Sequence, residues 1–456
     1  MLETLNNWII SANDWIWTYL LIILLILIGL YFTFKSRFVQ FRYFGEMFRL
    51  LGQGVSNGKG KNSVSSFQAF CIATASRVGT GNLAGVATAV ALGGSGAVFW
   101  MWVLALIGSA SAFVESTLAQ IYKEKGERSF IGGPAFYIGK GLKKKGLALL
   151  FAFIIIINTI AIAFHEIYGT GQLGPAIILT FFTLSTIFGG IHRIARVAGI
   201  IVPFMAIAYI LVALFILFNH MTAIPALIGH IFSNAFGIEQ VVGGGLGATI
   251  MQGVRRGLFS NEAGMGSAPN AAATATVSHP VKQGLIQALS VFTDTIVICS
   301  CTAFIILLSD LPLDGTLKGI QLTQAAVGHE IGPFGAQFIA FCILLFAFSS
   351  IVGNYSYCET NLFFISRHPA GLQIYRIAVG GMVFFGSVAG LDIVWNLADL
   401  FMALMTLINL IALIFLGHLA LKALKNYNDQ KRRGIKSPVF KASDIPEIED
   451  QLSEWK

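Results

Sequence analysis

The chain has 456 residues, of which 55% are hydrophobic and only 11% charged, with a formal net charge of +8 and a mean hydropathy of +0.75. A soluble chain carries about a quarter charged residues, so this composition excludes an ordinary soluble globular protein and points to a bundle embedded in a bilayer. The five cysteines, Cys71, Cys299, Cys301, Cys342 and Cys358, lie within apolar runs, without metal-ligand spacing.

In chain order, residues 1–14 contain Glu3 and Asp14 but no Lys or Arg, so a cleavable signal is not expected. The apolar run at 15–34 ends in Lys35 and Arg37, which predicts a spanning helix with its N-terminus outside. Further apolar stretches follow at about 64–93, 97–121, 147–168, 174–190, 197–219, 241–276, 283–308, 334–365, 373–390 and 393–420. Each is long enough to cross a bilayer at about 20 residues per span. Lipid offers no partner to backbone polar groups, and no alternating pattern of a β-barrel is present, so all are expected to be helical. The expectation is an all-α polytopic membrane protein with about 11 transmembrane helices.

The basic residues fix an orientation. With the N-terminus outside, the loops at 35–63, 122–146, 191–196, 277–282 and 366–372 and the C-terminal tail fall on the cytoplasmic side. All but four of the 30 Lys and Arg residues then lie there or at the adjoining helix ends. The exceptions are Lys318 in an outer loop and Arg77, Arg255 and Arg256 at membrane depth. This is the positive-inside pattern of a cell inner membrane protein. It also accounts for the basic isoelectric point by topology and contact with the lipid bilayer, without nucleic acid.

The chain repeats itself. Arg77-Val-Gly-Thr-Gly-Asn82-Leu-Ala-Gly85 aligns with Arg256-Gly-Leu-Phe-Ser-Asn261-Glu-Ala-Gly264, both reading Arg-x-x-x-x-Asn-x-Ala-Gly. The same offset pairs Ser111-Ala-Phe113-Val-Glu115 with Ser290-Val-Phe292-Thr-Asp294. The two Asn-bearing helices are separated by an odd number of spans and so cross in opposite directions. This predicts a 5+5 inverted-topology repeat plus one extra N-terminal helix. Its parts are residues 1–63 with the extra helix and a cytoplasmic loop, 64–240 and 241–420 as the two five-helix repeats, and 421–456 as a cytoplasmic tail. Such repeats mark secondary transporters that rock around a site at the midplane. A channel or pore could share the repeat, and a membrane enzyme lacks any visible nucleophile–base or metal constellation.

Glycines crowd both repeat-leading helices: Gly79, Gly81 and Gly85 in the first, and Gly257, Gly264 and Gly266 before Pro269 in the second. Such clusters mark unwinding or close packing. Unwinding frees carbonyls for a cation and helix-terminal amides for a carboxylate, and Asn82 and Asn261 can each add a neutral oxygen. The plainer reading of one glycine pair is a helix-packing face, but two breaks at equivalent repeat positions favour a site. Ser349 and Ser350 could bind sodium or bond carbonyls of their own helix. Glu115 and Asp294, buried in their spans, are expected to pair with Arg77, Arg256 or a cation. His220 and His230 are expected to be solvated at the outer interface, and Asp392 and Asp399 to line a vestibule. Gly79–Gly85 does not fit a dinucleotide motif and Gly60-Lys61-Asn62 fails as a P-loop, so no ATP-binding domain is expected.

Val78-Gly-Thr-Gly-Asn82, Arg256 through Ala273, Gly132-Gly-Pro-Ala-Phe-Tyr137, His279-Pro-Val-Lys-Gln-Gly284 and Phe348-Ser-Ser-Ile-Val-Gly-Asn-Tyr355 strongly resemble motifs of the alanine/glycine–cation symporter family, a branch of the leucine-transporter-like fold. The resemblance implies sodium-coupled uptake of a small neutral amino acid, alanine or glycine and in some members glutamine. It further implies a sodium ion held by the carbonyls of Ala75 and Val78 with the hydroxyls of Ser349 and Ser350. The amides of Thr80 and Gly81 would take the substrate carboxylate, with Ser260 and Asn261 beside it on the second break. Asn82 and Asp294 would serve a second cation position. One segment departs from the family pattern: residues 146–160, after the leading Gly146, hold neither the Gly nor the Gln that usually precede Asn158-Thr159-Ile160. That leaves the amino acid itself open.

Overall fold

The computed structural model describes residues 2–56, 63–127, 129–165, 173–237, 245–313, 316–317, 319–388 and 392–455. Lys318, the basic residue expected outside, and residues 241–244 at the expected start of the second repeat lie outside this set. The described residues of each expected apolar stretch are mainly helical, and two stretches contain a break. In chain order the helices are α1 (Glu3–Lys35), α2 (Phe44–Ser56), α3 (Ser66–Arg77), α4 (Gly81–Gly93), α5 (Gly96–Ile121), α6 (Pro134–Gly141), α7 (Lys145–His165), α8 (Leu173–Ile187) and α9 (Gly190–Asn219). They continue as α10 (Ile224–Ala235), α11 (Gly245–Asn261), α12 (Ala268–Thr274), α13 (Pro280–Leu308), α14 (Ile320–Ile331), α15 (Pro333–Ile365), α16 (Pro369–Val388) and α17 (Asp392–Arg432). Among the described residues, seven helices are long and apolar enough to cross a membrane unaided. Phe204, Leu211, Phe215 and Phe218 on α9 are exposed, which gives that helix an apolar face for lipid to cover.

Two of the expected spans are helix pairs with a break between them. Ser65 opens α3 with a capping box: its hydroxyl accepts from the Gln68 amide at 3.1 Å, and its own amide donates to Gln68 Oε1 at 3.0 Å. α3 ends at Arg77, and Val78 leaves helical geometry at ψ 81°. The second break, from Glu262 to Ser267, is longer. Gly264 and Gly266 there have φ of +82° and +87°, a backbone region glycine enters without steric cost. Pro269 falls in the first turn of α12, where its missing N–H costs no helical bond.

The two broken helices run antiparallel. α3 packs on α12 and α4 packs on α11, so the first half of one pair lies against the second half of the other. This is the inverted relation the repeat predicts. At the α3–α12 end the Thr276 amide donates to the Val64 carbonyl at 3.0 Å. α5 and α13 cross beside the breaks at very short range, where a Cβ on Gly284 would fall 2.2 Å from Thr117 Oγ1.

The basic loops gather at one face. The short hairpin β1 (Glu124–Lys125) and β2 (Phe130–Ile131) meets Lys140 and Arg367 through Glu124. Glu46 on α2 accepts from Tyr427 at 2.6 Å and also pairs with Arg49 and with Lys431. Burial opposes its ionisation, but these donors outweigh burial and draw its pKa down to about 2. The tail folds back on the same face: Phe440 donates its amide to the Ser278 carbonyl at 2.9 Å, and Trp455 Nε1 donates to the Gln120 carbonyl at 3.0 Å. Lys123 lies between the Phe130 and Trp455 rings, 4.1 and 4.4 Å from their centroids, and burial lowers its pKa to about 7.

His279 caps α13 on this face. Its Nδ1 accepts from the Val281 amide at 3.2 Å, its Nε2 lies 3.1 Å from Asn426 Oδ1, and its ring meets Tyr427 and Phe440 edge-on. Nδ1 can accept only if the ring is neutral. Burial above all holds its pKa down to about 3. Its stabilising contribution is therefore fully present above about pH 6.5, the unfolded value, and is lost as pH falls from there toward 3. We expect amide-exchange protection of residues 438–455 to weaken between pH 6.5 and 4.5. His279→Asn keeps a capping acceptor and removes the titrating ring, so that pH dependence should flatten. Protection that is equally pH-dependent in His279→Asn would show that another group controls the tail.

Candidate transport site

The breaks place polar groups of both repeats at the centre of the bundle. Asn82 is fully buried. Its Oδ1 accepts from the Gly79 amide at 3.0 Å, and its Nδ2 donates to Asp294 Oδ1 at 2.7 Å. Ser260 donates to Asp294 Oδ2 at 2.7 Å, and Thr295 adds a third donor at 2.9 Å. Cys299 Sγ closes the group, 3.3 Å from Asn82 Nδ2 and 3.2 Å from Ser260 Oγ. Asn82, Ser260 and Asp294 therefore meet, although they come from three elements. Asn261 is turned to local use: its Oδ1 accepts from the Ala263 amide at 3.0 Å. A Cβ on Gly81 would come 2.9 Å from the Phe259 ring, so that ring packs on the backbone at the start of α4.

On the other side of the first break, Ser349 and Ser350 of α15 face the end of α3. Ser349 Oγ lies 3.4 Å from the Val78 carbonyl and 2.9 Å from the Phe346 carbonyl of its own helix. Ser350 Oγ lies 3.3 Å from the Ser76 carbonyl. Gly353 permits this approach, since a Cβ there would sit 2.6 Å from the Ser76 amide nitrogen. Oxygens 3.3–3.4 Å apart are long for hydroxyl hydrogen bonds. They match the spacing of neighbouring ligands on a hard cation bound at about 2.4 Å. Ala75 is buried one turn earlier in α3, and Thr80 is buried just before α4.

The carboxylates are held by neutral donors. Glu115 accepts from the amides of Gly264 and Gly266 at 3.2 and 3.1 Å and from Asn409 Nδ2 at 2.8 Å. Glu262 accepts from Ser76, Ser267 and Tyr357 at 2.5, 2.7 and 3.4 Å. Arg77 is 1% exposed and reaches the Gln287 carbonyl and Oε1 at 3.4 Å each. It lies within electrostatic reach of Glu115, Glu262 and Asp294. Arg77 thus meets a carbonyl partner inside the bundle, surrounded by carboxylates that hydroxyls and amides already hold.

Asp399 corrects an expectation. It is 2% exposed and bonded to Arg255 Nη2, whose guanidinium also lies 5.6 Å from the Trp17 ring centroid. A side chain near a helix end is a buried ion-pair partner here, because the N-terminal helix covers it. His220 is partly exposed and also pairs with Glu330 at 2.7 Å. Asn409, Tyr137 and Gln287 escaped the sequence reading. Tyr137 bonds Asn409, which in turn holds both Glu115 and the Gly264 carbonyl at 2.9 Å. A lone Asn inside the apolar run of α17 was the available signal.

An all-helical membrane bundle with two antiparallel broken helices and polar groups gathered at the breaks defines a transporter of the inverted-repeat class. The fold is that of the solved structure of MhsT in complex with L-phenylalanine, at a TM-score of 0.53 and 15% identity over 80% of this chain and 96% of that one. The chain belongs to the sodium:alanine symporter family, whose profile matches residues 2–442. It is 53% identical to the amino-acid carrier protein AlsT of Bacillus subtilis over 98% of this chain and 97% of that protein. It is 52% identical to the probable sodium/glutamine symporter GlnT of the same organism over 96% and 94%. The sodium/alanine symporter AgcS of Methanococcus maripaludis is 36% identical over 94% and 98%.

The Asn82–Asp294 contact gives a sharp test. Asn82→Asp would set two carboxylates against each other at hydrogen-bond distance, and like-charge contacts cost several kcal/mol. We expect Asn82→Asp to lose uptake in protein that still folds, and Asn82→Asp combined with Asp294→Asn to recover part of it. Near-normal uptake in the single variant would show that Asn82 only orders the break through Gly79.

Proposed function

We propose that the protein imports a small neutral amino acid, with alanine, glycine and glutamine as the candidate substrates, by sodium symport. The observation that carries this reading is the oxygen cluster at the first break, where Ser349 and Ser350 approach the carbonyls of Val78 and Ser76. Sodium prefers hard oxygen donors, and the C-terminal end of α3 adds the negative end of a helix dipole. In this reading the Ala75 and Val78 carbonyls and the Ser349 and Ser350 hydroxyls hold the ion. The amides of Thr80 and Gly81, at the positive end of α4, receive the substrate carboxylate, with Ser260 and Asn261 on the facing break. Asn82 and Asp294 provide a second cation position.

Charge supports the same assignment. Asp294 lies within electrostatic reach of Arg77 at the centre, and a cation entering beside it would gain an acidic oxygen ligand. Transport proceeds by alternating access around the two breaks, with the N-terminus outside and the basic face in the cytoplasm. The names of the relatives supply the substrate range: glutamine for one, alanine for another.

In proteoliposomes, uptake of labelled alanine, glycine or glutamine should require an inward sodium gradient and vanish when choline replaces sodium. Ser349→Ala with Ser350→Ala should raise the sodium half-saturation roughly tenfold or more, as expected when oxygen ligands to a charged group are removed. It should leave thermal stability nearly unchanged. An unchanged half-saturation would assign the serines to their own helix.

A further inference from the structure

Away from the breaks, a cavity of about 180 Å³ lies at the basic face among α15, α16 and the end of α12. Its rim is exposed at Pro369 and Gln373. Its wall carries the Arg376 guanidinium and the Glu359 carboxylate in a long ion pair, and Glu127 adds an exposed carboxylate at the rim. Arg376 is 6% exposed, donates Nε–H to the Tyr355 hydroxyl at 3.0 Å and lies over the Phe188 ring at 5.5 Å. Glu359, one turn along α15, is hydrogen-bonded to the same Tyr355 hydroxyl. Tyr355 is itself stacked on Tyr375, with ring centroids 5.5 Å apart. Even so, Arg376 Nη2 and Glu359 Oε1 remain 4.0 Å apart, well beyond the 2.7–2.9 Å of a closed charge-assisted pair.

The opposite charges of Arg376 and Glu359, fixed in one small cavity, are complementary to a zwitterion, and Glu127 at the rim adds a second acidic group for its ammonium. The hydroxyls of Ser356, Thr360 and Thr274 also line it, and Leu372 contributes an apolar wall. The volume corresponds to roughly six waters, which suits a small amino acid. We infer that this cavity is a second amino-acid site on the cytoplasmic side, binding the carboxylate of a neutral amino acid at Arg376 and its ammonium at Glu359. The inference rests on the symport reading. It adds a site that needs no sodium, because the charges that would hold the ligand belong to the protein. Thr274 ends the second broken helix, so a ligand here would occupy the exit from the central site and make release saturable from the cytoplasm.

Equilibrium binding of labelled alanine and glutamine to the purified full chain, with and without sodium, tests it. The expected result is one sodium-dependent and one sodium-independent event per chain. Glu359→Gln removes the ammonium partner, and Leu372→Trp fills the cavity from its apolar side without touching either charge. Both should weaken the sodium-independent event roughly tenfold or more and leave the sodium-dependent one intact. Sodium-independent binding unchanged in both variants would overturn the second site, as would a parent protein that shows only the sodium-dependent event. A parent that shows only the sodium-independent event, weakened by both variants, would sustain the cavity as an amino-acid site and overturn the symport reading.

Discussion

A helix broken inside a membrane must find partners for its freed backbone groups within the protein, because lipid supplies none. Here that constraint is met by carboxylates that reach across from the other repeat. Glu115, on α5 of the first repeat, takes the amides of Gly264 and Gly266 in the second break. Asp294, its counterpart in the second repeat, takes Asn82 at the first break, and Asn82 in turn takes the Gly79 amide. Each break is therefore completed by the opposite half of the molecule. Glu262 lies within the second break and bonds Ser76, at the end of α3, which joins the two breaks directly. Cutting any of these links leaves a buried polar group unpaired, at a cost of about 1–3 kcal/mol or more where a charge is involved.

The same links make the centre stiff while the two faces differ. On the basic face, Val64 bonds Thr276, Gln120 Nε2 donates to the carbonyls of Ala272 and Ala275 at 2.5 and 3.0 Å, and Trp455 covers Gln120. These contacts seal the end where α3 and α12 meet. Movement that opens the basic face must undo backbone hydrogen bonds and release the tail. Movement at the other face works against the Arg255–Asp399 pair and the cover of α1. The glycines at 284 and 353 let helices cross almost in contact, so rigid groups of helices are more readily moved than single side chains.

The sequence announces what depends on composition and spacing, and conceals what depends on partners distant in the chain. The spans, the basic face and the antiparallel repeat follow from hydropathy, from Lys and Arg counts and from the shared Arg-x-x-x-x-Asn-x-Ala-Gly pattern. The breaks are legible because Gly and Pro cluster inside apolar runs. Their limits are less so: the first break is confined to Val78 and Gly79, and residues 81–85 stay wound in a wider helical turn despite glycine at 81 and 85. The facing of Ser349 and Ser350 toward α3 spans more than 270 positions, and no periodicity encodes it. The resemblance supplied it instead. Asn261 looked equivalent to Asn82 by repeat, but its amide oxygen turns to its own break because the second break is longer and offers the Ala263 amide nearby. Asp399 was misplaced because position in a span says little about exposure when another helix lies over it.

The balance of charge at the centre is the last constraint. Arg77 cannot be shed to water, and among the described residues it makes long contacts to Gln287 while three carboxylates sit around it. An isolated charge at this depth costs at least about 2.5 kcal/mol, so the carboxylates and the guanidinium stabilise one another without touching. That arrangement gathers three acidic side chains at the junction of both repeats. A sodium ion bound beside Asp294 would compete with Asn82 and Ser260 for its oxygens. Because Asn82 also holds the Gly79 amide, the ion's arrival would be felt directly at the break, next to the amides proposed for the substrate carboxylate. The ion and the amino acid would then be linked through two hydrogen bonds of one side chain, which is the shortest path by which occupancy of one site can alter the other.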